Sequence, residues 1–205
     1  MGDRTGLIVD YGGVLTTDIF ASFRAFCEAE GLAPEAVRER FRSDPGARGL
    51  LEKLETGELT EAQFEPRLAA VLEVESERLI DRLFGGMELD PAMLDGVRAA
   101  RRAGVRTGLL SNSWGHDRYA PLDDLFDARV ISGEVGIRKP DPAIYALICE
   151  RLALAPAACV FVDDLPGNLK PARSLGMATV LHRGDAAATL AEAGALLGYD
   201  LRPRP

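Results

Sequence analysis

Short apolar runs alternate with longer helical patterns through most of the chain, and no other feature of the sequence restricts the fold as strongly. The runs are rich in Val, Ile, Leu or Phe and are bounded by polar residues or glycine, which is typical of buried strands. They lie at residues 7–10, 105–110, 128–131, 159–162 and 179–181, with helical patterns at 91–103, 142–153, 168–175 and 186–197. Since strands that alternate with helices form parallel sheets, the sequence predicts an α/β fold with a Rossmann-like, doubly wound parallel sheet.

The region between the first two strands breaks this alternation because it contains only helical patterns. These patterns lie at residues 19–30, 34–43, 60–72 and 76–83, and no convincing strand separates them. A helical block of this length is best explained as a separate unit. We therefore predict an inserted α-helical cap domain at 18–90 and a core domain formed by residues 1–17 and 91–205.

The charge balance and the apolar patterning argue against two classes of partner. The formal net charge of −8 argues against nucleic-acid binding, which needs a basic surface. No apolar run reaches the roughly 18 residues of a membrane span, and no signal sequence is recognisable, so we expect a cytoplasmic protein without a membrane partner. The cysteines Cys27, Cys149 and Cys159 are widely spaced among apolar neighbours, which favours core positions over a disulfide or zinc site. We expect a monomer or a homodimer.

Polar residues follow four of the predicted strands, at the point where each strand ends. Asp10 follows the first, Ser111-Asn112-Ser113 the second, Lys139 lies in the loop after the third, and Asp163-Asp164 follows the fourth. Each alone has an ordinary explanation as a turn, cap or solvated residue. Because open α/β sheets bind ligands beyond the carboxyl ends of their strands, the four together predict one functional site.

These residue types suit phosphoryl transfer. Asp10 offers a carboxylate nucleophile, and Asp163 and Asp164 converging on it would form a hard oxygen site for Mg²⁺. Lys139 supplies a fixed positive charge, and Ser111 a hydroxyl for the phosphate oxygens. Further phosphate contacts are expected from the backbone N–H groups near Tyr11, Gly12 and Asn112.

Four motifs on these elements resemble those of the haloacid dehalogenase (HAD) superfamily hydrolases. They read DYGGVL, LLSNSW, IRKPDPAIY and FVDDLPGNLKPA. The residues of the last three motifs are most similar to those of the branch that contains the N-terminal phosphatase domain of soluble epoxide hydrolases. The resemblance implies a Mg²⁺-dependent phosphohydrolase that acts on a small phosphorylated metabolite through an aspartyl-phosphate on Asp10.

The resemblance also implies individual roles. Asp164 and the backbone carbonyl of Gly12 would join Asp10 as metal ligands, while Asp163 would face Lys139 or a metal-bound water. Lys139 would be the cation of the third motif. Residues implied or suggested to contact the substrate or its phosphate are Tyr11, Ser111, Asn112, Trp114 and Asn168.

Gly12 is the one departure from the family pattern. Family phosphatases usually have Asp-x-Asp, in which the second Asp protonates the leaving alcohol and later activates water, whereas this chain has Asp10-Tyr11-Gly12. Since general acid–base catalysis contributes about 10²- to 10⁴-fold, we expect a weakened or specialised phosphatase. Candidate replacement proton donors are water, a group in the cap, Asp18, His116 and Asp117.

Two alternatives stay open. A metal-independent 2-haloacid dehalogenase also lacks the second Asp, and Arg40 or Arg42 would suit a carboxylate, although the Asp163-Asp164 pair argues for a metal. The other alternative is a catalytically weak or inactive phosphate-ligand-binding protein, for which Gly12 is again the reason.

Overall fold

A five-stranded parallel sheet lies at the centre of the molecule in the computed structural model, which describes residues 4–113 and 119–202. Its strands are Gly6–Val9 (β1), Arg106–Ser111 (β2), Ala128–Ile131 (β3), Cys159–Asp163 (β4) and Ala178–Leu181 (β5). The strand order is β3-β2-β1-β4-β5, and every pairing is parallel. The direction in which strands are added reverses beside β1, so the ligand-binding crevice of such a sheet is expected where β1 and β4 end.

Helices cover both faces of this sheet and fill the segment after β1. In chain order they are Ile19–Ala29 (α1), Ala36–Ser43 (α2), Pro45–Glu55 (α3), Glu61–Leu72 (α4), Leu79–Leu83 (α5), Pro91–Arg102 (α6), Ser132–Val135 (α7), Pro142–Arg151 (α8), Pro166–Ser174 (α9) and Ala186–Leu197 (α10). None of the helices within the two described ranges is long and apolar enough to cross a membrane.

Side chains that alternate along the strands build a separate apolar layer on each sheet face. Val9 and Val162 pack with Val97 of α6 on one face, whereas Ile8 and Phe161 of the same strands pack on the other. The helices α6 and α10 cover the first face, and α8 and α9 cover the second. The predicted α/β fold with a doubly wound parallel sheet is thus confirmed.

The helices α1 to α5 form the inserted cap and have an apolar cluster of their own. Phe26, Phe64, Leu68 and Leu79 are among its buried members. Two short connections join the cap to the sheet and pair with each other: the Thr17 N–H donates to the Glu88 carbonyl at 2.8 Å, and the Asp90 N–H to the Leu15 carbonyl at 2.8 Å. The domain limits at 17/18 and 90/91 stay predictions.

The helix α3 is absent from the helical patterns identified in the sequence. Its start resembles that of α6, because Asp44 precedes a proline and its carboxylate accepts from the N–H groups of Gly46 and Ala47. The two glycines in PGARGLLEKLE lower the intrinsic helix propensity, which explains why the pattern is weak. This helix contributes to the site below.

Candidate active site

Three carboxylates meet where β1 and β4 end. The Asp10 N–H continues the ladder by donating to the Val162 carbonyl at 2.9 Å, which places Asp10 beside the end of β4. One oxygen from each of Asp10, Asp163 and Asp164 lies within 4.8 Å of the other two. The carboxylates converge because neighbouring parallel strands end at the same edge of the sheet.

Lys139 lies between two of these carboxylates and is fully buried. Its Nζ is 2.7 Å from Asp10 Oδ1 and 2.8 Å from Asp163 Oδ2. Both carboxylates raise the pKa of Lys139, more than burial lowers it, so the ammonium is charged at neutral pH. Burial raises the pKa of Asp10 well above its usual range, against the attraction of Lys139 and with the help of the neighbouring carboxylates.

The charges of this group fit a bound divalent cation. Three carboxylates and one ammonium sum to a formal charge of −2 in a buried setting, where uncompensated charge is costly. Carboxylate oxygens are also the donors that Mg²⁺ prefers. The residues present therefore fit the metal that the sequence predicts.

Asp163 is held more tightly than the other two carboxylates. Its oxygens accept from Asn168 Nδ2 at 3.0 and 3.1 Å and from the Leu165 N–H at 2.8 Å, in addition to the contact with Lys139. Asp10 and Asp164 line the open cavity instead. This arrangement leaves Asp10 and Asp164 as the carboxylates best placed to contact a metal directly.

Gly13 permits the close approach of Asp164 to the loop after β1. Its φ is +71°, and a Cβ at this position would lie 2.6 Å from Asp164 Oδ2. A side chain here would be strained and would displace the carboxylate. The second glycine of the DYGGVL motif therefore shapes the candidate metal site.

Asn112 connects the loop after β2 to the loop that carries Lys139. Its Nδ2 donates to the Lys139 carbonyl at 3.1 Å, and its Oδ1 accepts from the Lys139 N–H at 2.8 Å. Because the side-chain amide is engaged in this way, a phosphate contact from Asn112 would come from its main chain. Ser111 Oγ shares a hydrogen bond of 3.0 Å with the hydroxyl of Tyr119, whose ring packs edge-on against Tyr11.

A cavity of about 440 Å³ lies between the cap and these strand ends. The predicted site residues that line it are Asp10, Tyr11, Gly12, Ser111, Asn112, Lys139, Asp164 and Asn168. Trp114, His116 and Asp117 lie outside the described residues. Residues that the sequence reasoning missed also line it, namely Phe20, Phe23, Phe41, Phe84, Glu55, Tyr119 and Arg138.

The space beside Gly12 is occupied by an apolar side chain of the cap. A Cβ at position 12 would lie 2.3 Å from Cδ1 of Ile19, the first residue of α1. Asp18, which the sequence suggests as a substitute proton donor, caps α1 through the Phe20 N–H at 2.9 Å and pairs with Arg24 at 3.3 Å. The side chain that faces Gly12 is thus a hydrocarbon.

Glu55, the last residue of α3, joins the cap to the site loops. Its carboxylate pairs with the Arg138 guanidinium and lies 3.4 Å from Asn112 Nδ2, and its carbonyl accepts from the Ser132 hydroxyl. Glu55 is 5% exposed. Glu55 was not among the predicted site residues because α3 itself was not predicted.

Comparison with known proteins places most of the chain in one family. The family model described as haloacid dehalogenase-like hydrolase matches residues 4–176. Bifunctional epoxide hydrolase 2 of Sus scrofa is 28% identical over 222 residues, which cover 97% of this chain and 40% of that protein. The chain therefore spans less than half the length of this curated relative.

Two further proteins align over nearly their whole length. Phosphorylated carbohydrates phosphatase of Thermotoga maritima is 26% identical over 204 residues, covering 93% of this chain and 91% of that protein. A HAD family enzyme of Bacteroides thetaiotaomicron, solved in complex with magnesium and inorganic phosphate, superposes with a TM-score of 0.65 at 22% identity, covering 87% of this chain and 94% of that one. The second likeness supports the fold.

Proposed function

The chain belongs to the haloacid dehalogenase-like hydrolase family, and we propose that it is a Mg²⁺-dependent phosphatase that hydrolyses a small phosphorylated metabolite through an aspartyl-phosphate on Asp10. The observation that carries this proposal is the group of three carboxylates at the ends of β1 and β4, two of which contact buried Lys139. The name of the Thermotoga maritima relative and the magnesium and phosphate bound by the Bacteroides thetaiotaomicron enzyme support it.

The carboxylates of Asp10 and Asp164 and the backbone carbonyl of Gly12 would hold the metal. Asp163 would support the site through Lys139 or a metal-bound water, in keeping with its four hydrogen bonds. When bound, Mg²⁺ supplies positive charge that lets an anionic nucleophile approach an anionic phosphate.

The chain's own groups would position and stabilise the phosphoryl group. Lys139 orients Asp10 through the 2.7 Å contact and offers charge to the transferred oxygens. Ser111 and the main chain near Tyr11 and Asn112 would bind the remaining oxygens. Asn168 keeps Asp163 against Lys139. The cap, proposed to span 18–90, would exclude water and select the substrate.

The test is phosphate release from a panel of phosphorylated metabolites, with and without Mg²⁺, by the wild type and by Asp10→Asn. We expect Mg²⁺-dependent release by the wild type and none above background by the variant, because an amide at position 10 cannot form the acyl-phosphate. Equal rates for the two proteins would contradict the proposal.

The same panel separates the two alternatives. Ligand-induced stabilisation without phosphate release would identify a phosphate-binding protein built on this fold. Chloride release from 2-chloropropionate without Mg²⁺ would identify a dehalogenase, which the convergence of Asp163 and Asp164 with Asp10 does not favour.

Proton competition is expected to weaken Mg²⁺ binding below neutral pH. Burial and the neighbouring Asp163 raise the pKa of Asp164 to about 6 in the metal-free protein. A metal needs deprotonated carboxylates, and the pKa of Asp10 is raised as well, so the Mg²⁺ affinity should fall at least about tenfold per pH unit below the pKa of Asp164. Calorimetric titration across this range measures the effect. An affinity that stays constant through the pKa would remove Asp164 from the metal site.

A further inference from the structure

We propose that the substrate is an aryl phosphate monoester, with its ring against the phenylalanines of the cap and a leaving group that departs as a phenolate without being protonated. This inference rests on the proposed phosphatase function and specifies its substrate class. Two independent features of the cavity point to it.

The first feature is the composition of the cap wall. Phe20, Phe23, Phe41 and Phe84 line the cavity, which is half of the eight phenylalanines in the chain. The rings of Phe20 and Phe23 are 6.2 Å apart, and those of Phe23 and Phe84 are 5.8 Å apart. Ile19 and Leu51 extend this apolar surface. Such a wall gains energy from a planar ring, whereas it would desolvate the hydroxyl groups of a sugar.

The charged residues beside the cavity also favour an aryl ester. Each of the three arginines that line the described cavity is paired with a glutamate: Arg38 with Glu35 at 3.5 Å, Arg42 with Glu39 at 3.7 Å, and Arg138 with Glu55. The Arg38 guanidinium also lies 4.7 Å from the centre of the Phe20 ring. In each pair the glutamate offsets the charge of the arginine, which favours a substrate whose aryl ring carries no charged substituent.

The second feature is the surroundings of Gly12. Position 12 has no side-chain acid, and the space beside it is filled by Ile19. Without an acid at position 12 to protonate it, an alcohol leaving group would depart as a strongly basic alkoxide, whereas a phenolate is a much weaker base. In the reaction, an Asp10 oxygen bonds to phosphorus as the P–O(aryl) bond breaks, and the phenolate keeps the electron pair. Water then attacks phosphorus, which releases phosphate and frees Asp10, and the proton lost by the water ends on the phenolate or the phosphate.

Four esters test the aromatic wall and the missing acid at position 12 separately. They are phenyl, benzyl and cyclohexyl phosphate, and a hexose phosphate. Benzyl phosphate has a ring but an alkoxide leaving group. We expect kcat to be highest for phenyl phosphate, by at least about tenfold over the other three, because only its leaving group is weakly basic. We expect KM to be lower for the phenyl and benzyl esters than for the cyclohexyl ester because only the first two carry an aromatic ring.

A pair of variants tests the wall itself. Phe20→Leu keeps an apolar side chain but removes the ring, and Tyr199→Leu removes an aromatic ring outside this cavity. Phe20→Leu should raise KM for phenyl phosphate about fivefold and leave that for cyclohexyl phosphate nearly unchanged, since only the aromatic ester loses a contact between two aromatic rings. Tyr199→Leu should change the KM of neither ester.

The outcomes distinguish this inference from the function on which it rests. Cyclohexyl or hexose phosphate turned over as well as phenyl phosphate, with Mg²⁺ and Asp10 still required, would overturn the aryl assignment and leave the phosphatase function intact. No release from any ester above the Asp10→Asn background would overturn both. Equal KM changes for the aromatic and the cyclohexyl esters in Phe20→Leu would also contradict the role of the wall.

Discussion

The double variant Gly12→Asp/Ile19→Val is expected to hydrolyse alkyl phosphates at least about 10²-fold faster than the wild type, because it restores a group that protonates the leaving oxygen. The second substitution is needed for space. A Cβ at position 12 would lie 2.3 Å from Cδ1 of Ile19 but 3.3 Å from its Cγ1. Valine lacks the δ carbon, so this change removes the closest contact and keeps most of the apolar surface.

The gain should depend on the leaving group. Phenyl phosphate needs little protonation, so its rate should rise less than that of benzyl or cyclohexyl phosphate, and the preference for aryl esters should shrink. Steady-state kinetics with these three esters and Mg²⁺ measure both effects.

Gly12→Asn/Ile19→Val is the matched control for this experiment. Asparagine fills the same space as aspartate, but its amide does not protonate a leaving alkoxide as a carboxylic acid does. An equal gain in the Asn variant would show that packing at position 12, and not acid catalysis, changes the rate. Gly12→Asp alone should gain less than the double variant because Ile19 still obstructs the carboxylate.

The convergence of the candidate catalytic carboxylates could be predicted from the sequence because it depends on strand ends alone. Asp10, Asp163 and Asp164 follow β1 and β4 directly, and parallel strands bring their ends together whatever the loops do. The position of Lys139 relative to these carboxylates was harder to predict from the sequence. It depends on the reciprocal hydrogen bonds with Asn112, which join two loops 27 residues apart.

The cap wall could not be read from the sequence for a different reason. Phe20, Phe23 and Phe26 all belong to the apolar side of α1, yet Phe20 and Phe23 line the cavity whereas Phe26 does not. Helical periodicity shows which side of a helix is apolar but not whether that side meets the cap core or a cavity. Glu55 was missed because its helix has a weak pattern, and its contact with Arg138 forms only when the cap packs on the sheet.

Lys139→Met is expected to lower the free energy of unfolding by about 3–5 kcal/mol and to reduce phosphatase activity at least about 10²-fold. Lys139 is 1% exposed and contacts Asp10 and Asp163, so its removal leaves two buried carboxylates without their cation. For a chain of this size the loss corresponds to a melting temperature lower by roughly 10 °C. Thermal unfolding without Mg²⁺ measures the effect.

A second substitution separates lost charge from lost packing. Lys139→Met/Asp10→Asn removes one of the two unpaired carboxylates and should recover part of the stability lost in Lys139→Met, although the double variant should have no activity. Asp10→Asn alone should be much less destabilising, since Lys139 keeps its contact with Asp163 at 2.8 Å. If the double variant is no more stable than Lys139→Met, the loss is due to packing.

The stability deficit of Lys139→Met should depend on pH, which a loss of packing alone would not produce. Burial already raises the pKa of Asp10 well above its usual range in the wild type, even with Lys139 beside it, and removing the ammonium raises that pKa further. A carboxyl whose folded-state pKa exceeds its unfolded value binds protons more tightly when folded, so the variant loses stability as pH rises through the raised pKa. The stability deficit of Lys139→Met should therefore be smaller under mildly acidic than under mildly alkaline conditions, and Mg²⁺ should reduce it on the alkaline side. A deficit that is independent of both pH and Mg²⁺ would mean that the carboxylates around Lys139 do not carry the charge assigned to them.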